Sequence, residues 1–189
     1  RNAEIVNTST VDTRTITQVV SEDVQAITGV WYDPLAQTVM CDQPAGMFLT
    51  KVDVYFQGKD DTLPVWVEMR TVLNGYPSTT ILPFSEVTLN PSSVSVSELG
   101  TTATTFTFPS PVYIQENVEY CFVVLANSAN YNAYVARIGQ TNLGSDRTIS
   151  QQPYAGVLFK SQNGSTWTAE QNEDIKFKMK RAEFENVTG

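Results

Sequence analysis

The acidic groups that could do chemistry are Asp60-Asp61, Glu116 with Glu119, and Glu170 with Glu173-Asp174. Two carboxylates facing each other across a cleft can hydrolyse a glycosidic bond. The first and third groupings lie in polar, turn-like stretches, where acids face water. The chain has no histidine. That removes Ser-His-Asp and Cys-His catalysis in their usual forms. It also removes the usual zinc sites, because Cys41 and Cys121 cannot alone make a four-ligand site. Carboxylate chemistry is all that remains to an enzyme, and the expectation is a protein without catalysis.

Binding chemistry is the other option. Calcium needs six to eight oxygens, which loops rich in Asp, Asn and carbonyls supply. The loops QGKDDT and QNED are compatible but carry no ligand spacing, so no cofactor is expected and a structural calcium stays open. A sugar site needs a flat aromatic beside amide or carboxylate groups. Trp167 and Asn163 in NGSTWT, with Tyr131 and Tyr134 in NYNAY, are the candidate carbohydrate platform. The competing reading packs Trp167 over its own hairpin and sets the tyrosines at the core edge. Trp66 and Tyr55 are candidate interface anchors, with Trp66 alternatively lying beneath the N-terminal arm. Asn7, Asn163 and Asn186 each begin an Asn-x-Ser/Thr triplet, which matters only in a eukaryotic secretory protein.

The chain has 189 residues and a net charge of −8. Such a surface repels nucleic acid, and the one basic cluster, Lys176 to Arg181, reads as the wet face of a strand. No apolar run is long enough for a membrane helix. Cys41 and Cys121 lie in separate apolar stretches and read as buried thiols rather than a disulfide. No signal peptide is visible, and a start at Arg1 rather than Met reads as a piece of a larger or processed protein.

These residues must be positioned by short strands. Residues 1–25 are rich in Thr, Ser and Val and read as an arm or linker, with some extended strand within it. In MFLTKVDVYF, alternation puts Phe48, Val52, Val54 and Phe56 on one face, and Lys51, Asp53 and Tyr55 on the other. In LPVWVEMRTVL, Val65, Val67 and Met69 oppose Trp66, Glu68 and Arg70. Asn74-Gly75 suits the positive φ of a tight hairpin. VEYCFVVLA is apolar on both faces and predicts a central strand covered on both sides. In DIKFKMKRAEF, Ile175, Phe177 and Met179 enter the core while Lys176, Lys178 and Lys180 face water. No stretch has a persuasive helical period, although FSEVTLN or TAEQNED suits a single turn. Short strands between Gly, Pro, Asn and Ser turns predict an all-β antiparallel β-sandwich, jelly-roll-like, over 26–185, with residues 186–189 as an exit.

The stretch WYDPLAQTVMCDQPAGMFLTKVDVYFQGKDDTLPVWVEMRTVLNGYPS resembles a domain of tailed-bacteriophage virion proteins of the contractile-tail type. The pieces TFTFPSPVYIQENVEYCFVVLANSANYNAYVARIG, QPYAGVLFKSQNGSTWT and EDIKFKMKRAEF extend the resemblance from Trp31 to Phe184. Asp33-Pro34-Leu35-Ala36-Gln37 and Asn74-Gly75-Tyr76-Pro77 are its most specific parts. Val39 departs from the pattern, which has Phe there. The resemblance implies a structural virion component of tail, baseplate, neck or fibre, a homo-oligomer in contact with other virion proteins. It brings no catalytic residues. A carbohydrate- or receptor-binding module that takes a host-surface glycan is the alternative.

Overall fold

A computed structural model describes residues 3–10, 33–137 and 156–186. Its strands are β1 (Ala3–Thr10), β2 (Leu35–Met40), β3 (Met47–Gly58), β4 (Val65–Leu73), β5 (Tyr76–Ile81), β6 (Val87–Leu89) and β7 (Ala103–Ile114). They continue as β8 (Glu119–Ala126), β9 (Asn132–Ala133), β10 (Val135–Arg137), β11 (Leu158–Ser161), β12 (Trp167–Glu170), β13 (Glu173–Ile175) and β14 (Phe177–Asn186). Among the described residues the only helix is a 3-10 turn at Pro91–Ser93. FSEVTLN and TAEQNED therefore form turn and strand rather than helix.

The protein is an all-β sandwich. One sheet, A, runs β1-β14-β3-β7, with β9 also pairing β3. The other, B, runs β12-β11-β2-β8-β4-β5, with β6 also pairing β4. A two-stranded ladder, β10-β13, accompanies them. The chain passes between the sheets from β2 to β3 to β4, from β6 to β7 and from β7 to β8. The Ala3–Thr10 part of the N-terminal arm is thus a strand, paired antiparallel with β14 from Asn186 to Lys180, with a register shift between Ile5 and Asn7. The rest of the arm lies outside the described residues.

The core between the sheets follows the expected alternation on β4, where Val65, Val67 and Met69 are fully buried. They meet Phe122 and Leu158 of sheet B and Val52, Val54 and Phe56 of sheet A. Each such side chain contributes about 1.5–3 kcal/mol on burial. Strand β8 is central and buried along its length after Glu119, as its two apolar faces predict. The outer face it presents joins Cys121, Val123 and Leu125 to Ala36, Phe159 and Trp167 in a second apolar cluster.

Two expectations fail at irregularities. The ladder between β3 and β7 shifts register between Leu49 and Lys51. A slip of one residue reverses the facing of everything before it. Leu49 therefore enters the core and Phe48 points outward, contrary to the simple alternation. The second failure is Lys176, which sits between β13 and β14 and is buried rather than wet. Its Nζ donates to the Gly100 carbonyl at 2.8 Å and lies 4.6 Å from the centre of the Tyr55 ring. Burial pushes its pKa down. Ile175, Phe177 and Met179 do enter the core.

Candidate functional site

The residues singled out for sugar binding fall into separate places. Trp167 starts β12 opposite Ser161 and is only 8% exposed. Its ring packs in the outer cluster of sheet B, with the Arg70 guanidinium 6.0 Å from the ring centre. Arg70 also donates to the Gly164 carbonyl at 2.8 Å and pairs with Glu68, which locks the β11-β12 loop onto the sheet. The Oδ1 of Asn163 accepts from the backbone of Ser165 and Thr166 at 2.9 and 2.8 Å, so it builds the turn itself. Tyr131 is buried edge-on against Phe56, and its hydroxyl donates to Leu63 O at 2.5 Å. Burial pushes its pKa up to about 12. Tyr134 is buried against Gly100 and donates to Ser97 O. Trp167 and the tyrosines belong to different parts of the packing, and none presents an open ring face.

Of the two expected interface anchors, one is buried and the other half-buried. Tyr55 is buried over Lys176. Trp66 is half-buried, packed against the outer cluster of sheet B.

At least one acid of each grouping is engaged structurally. Asp60 Oδ1 accepts from Thr62 N and Leu63 N at 2.7 and 2.8 Å, and its Oδ2 from Ser128 Oγ and Asn130 Nδ2 at 2.6 and 3.0 Å. Those donors, Ser128 first, hold its pKa well below the usual carboxylate range. Glu173 pairs with Arg137 and with Lys160 Nζ, the latter at 2.8 Å. Glu116 accepts from Ala45 N at 3.0 Å. No group of three or more Cys, Asp or Glu among the described residues is placed to hold a metal ion.

What the register shift builds instead is an aromatic row on the outer face of sheet A. Phe48 opposes Tyr113 of β7 across the ladder, and their ring centres are 5.1 Å apart. Phe184 of β14 lies on the other side of Phe48 at 5.4 Å, edge to face at 82°. The three rings are 38%, 46% and 46% exposed for Phe48, Tyr113 and Phe184. The Tyr113 hydroxyl is tied to Ala45 O at 3.0 Å, and its ring lies over Gly46. A Cβ at Gly46 would lie 2.5 Å from Ile114 O and 2.7 Å from the Tyr113 hydroxyl, and its φ is +79°. Glycine is required there.

Next to the row the same sheet carries Lys51, Lys178 and Lys180. Lys51 stands directly opposite Lys180, a like-charge pair that is unfavourable across a ladder. Asp53 lies opposite Lys178 but bonds Lys180 Nζ at 3.2 Å and Thr105 Oγ1 at 2.7 Å. The face is thus apolar at one end and locally cationic beside it, on a chain whose net charge is −8. Rings tilted 48° and 82° to one another make ridges rather than a flat stacking platform. Such a surface suits side chains of another protein better than the face of a sugar.

No model of a known protein family matches the chain. Nor does any curated protein sequence match it.

Proposed function

We propose that this protein is a non-enzymatic structural component of a bacteriophage virion, of tail, baseplate, neck or fibre, acting as a rigid assembly and docking module. The observation that carries docking is the exposed row of Tyr113, Phe48 and Phe184 on a sandwich whose other large aromatics are mostly packed or bonded internally. Exposed aromatics held by a rigid ladder are what interface centres are made of. The virion assignment is supported by the resemblance of its DPLAQ and NGYP segments to phage structural proteins. The engagement of Asp60, Glu116 and Glu173 in turns and ion pairs supports a role without catalysis.

Antibodies raised against the purified domain test the reading on tailed particles from a culture carrying the gene. Decoration of a defined tail or neck position in electron micrographs is expected. Antigen found only in particle-free fractions sinks the virion assignment. Specific retention on an array of host-surface glycans, lost in Phe48→Ala, would move the same face to the receptor-binding alternative.

A further inference from the structure

Between β5 and β6 the fold holds one aromatic in a conformation that costs energy. Leu82 to Ser85 form a turn closed by Ser85 N donating to Leu82 O at 3.3 Å. Pro83 takes the first central position and Phe84 the second, with φ +63°. That is a type II turn, whose second central position favours glycine or asparagine. A bulky residue there is an outlier. The Phe84 ring is also 64% exposed. The turn is nonetheless fastened firmly. Ser85 is fully buried, its Oγ accepts from Met69 N at 3.1 Å, and it donates to Leu82 O at 2.7 Å. Leu82 N donates to Met69 O at 2.9 Å, and the Leu82 side chain sits in the core. The sequence therefore accepts backbone strain in order to hold an apolar ring in water. The bonds of Ser85 and Leu82 hold the turn, but the exposed ring itself gains nothing from them, so its use is sought in a contact with something else.

Pro83, Phe84 and Glu86 are exposed on either side of the buried Ser85. This is an apolar knob with a carboxylate beside it. Its complement is the outer face of sheet A, where the aromatic row lies beside Lys51 and Lys178. Their backbones are held in the ladders, while among the described residues no hydrogen bond or ion pair engages the Nζ of either lysine. Knob and row lie on different parts of the sandwich, one beyond β5 of sheet B and the other across β14, β3 and β7 of sheet A. One copy can therefore offer both at once.

We infer that the Phe84 knob of one copy docks on the Tyr113-Phe48-Phe184 row of a second copy, with Glu86 facing Lys51 and Lys178. The contact is head-to-tail, because row against row would set lysine against lysine. The inference rests on the docking reading above and names the partner of that face.

Sedimentation of the whole chain from micromolar to near-millimolar concentration tests it. Wild type is expected to self-associate. Phe84→Gly is expected to weaken association about tenfold or more while raising the melting midpoint, because glycine relaxes the turn. Glu86→Lys is expected to weaken association, and Glu86→Lys with Lys178→Glu in the same chain to restore it. A wild type that stays monomeric throughout overturns self-docking. So does a Phe84→Gly variant that associates like wild type, or a charge swap that restores nothing. Particle labelling distinguishes the failures: a monomeric chain that still decorates tails retains the docking role and loses only this partner.

Discussion

Gln37 grips Asp174 between the sheets. Its Nε2 donates to Asp174 Oδ1 at 2.9 Å, and its Oε1 accepts from Ile175 N at 2.9 Å. Both side chains are fully buried, and Asp174 Oδ2 has no partner. Burial pushes the Asp174 pKa up from 3.8 to about 6, opposed by the Gln37 bond. The folded pKa lies above the unfolded one, so the charged form burdens the fold. That burden is full above about pH 6 and is relieved as pH falls toward 3.8. Asp174→Asn should stabilise the protein at pH 8 by about 1–3 kcal/mol and flatten the rise in stability between neutral and mildly acidic pH. Urea titrations at a series of pH values check both.

Asp60 works in the opposite direction. Its folded pKa is depressed by the donors of Ser128, Leu63, Thr62 and Asn130. Its contribution is therefore present above the ordinary carboxylate pKa and lost as pH falls below it. Asp60→Asn should lower the thermal midpoint at pH 7, because an amide nitrogen cannot accept from Ser128 and Asn130. The same variant should lose less stability on acidification than wild type. Acid titration of the two proteins by circular dichroism decides it.

Arg70 and Glu68 form a pair about nine-tenths buried beneath the β11-β12 loop. Removing one partner strands the other charge. Arg70→Ala should cost about 3–5 kcal/mol and shift Trp167 emission to longer wavelength as the loop at Gly164 lifts. Replacing both, with Glu68→Leu and Arg70→Met, should recover most of the loss. An uncoupled double-mutant cycle would show that the pair does not hold the loop.

The sequence reveals much of this fold because most strands obey simple alternation. Asn74 and Gly75 have φ of 52° and 80°, as a two-residue hairpin requires, and Val65, Val67 and Met69 face the core. The aromatic row was not legible for a physical reason. Phe48 shares sequence parity with Val52 and Val54, and only the register shift before Lys51 turns it outward. Tyr113 and Phe184 lie in other strands, and nothing local says that they flank Phe48. The strain at Phe84 is likewise hidden, since FSEVTLN suits a single helical turn and nothing local demands a positive φ at its first residue. The Gln37-Asp174 bond spans 137 residues and leaves no local trace. Trp167 follows the reading that packs it on the fold rather than the open platform. A tryptophan among Ser and Thr looks exposed, but Ala36 and Cys121 are small enough to let its ring lie down on the sheet.

The two thiols sit in different clusters, Cys41 in the core between the sheets and Cys121 on the outer face of sheet B. Both are fully buried, and burial pushes the Cys121 pKa up to about 12. Thiolate is the reactive form, so neither should react with a disulfide reagent in the folded protein. Reaction should follow the global unfolding rate and rise with denaturant. A fast phase in native buffer would reveal local opening of one sheet.

Gly46 ties the stability of the fold to the aromatic row. With φ at +79° and Ile114 O at 2.5 Å from a built Cβ, alanine cannot be accommodated without moving the end of β7. Gly46→Ala should therefore destabilise by about 1–3 kcal/mol and push Tyr113 away from Phe48. Asparagine relieves the backbone term alone and should fare no better, because the clash is with a main-chain oxygen. Tyr113→Phe removes only the bond to Ala45 O and should leave the row in place. If Gly46→Ala lowers stability but leaves contact between Tyr113 and Phe48 intact by aromatic nuclear Overhauser effects, the glycine supports the strand end and not the row.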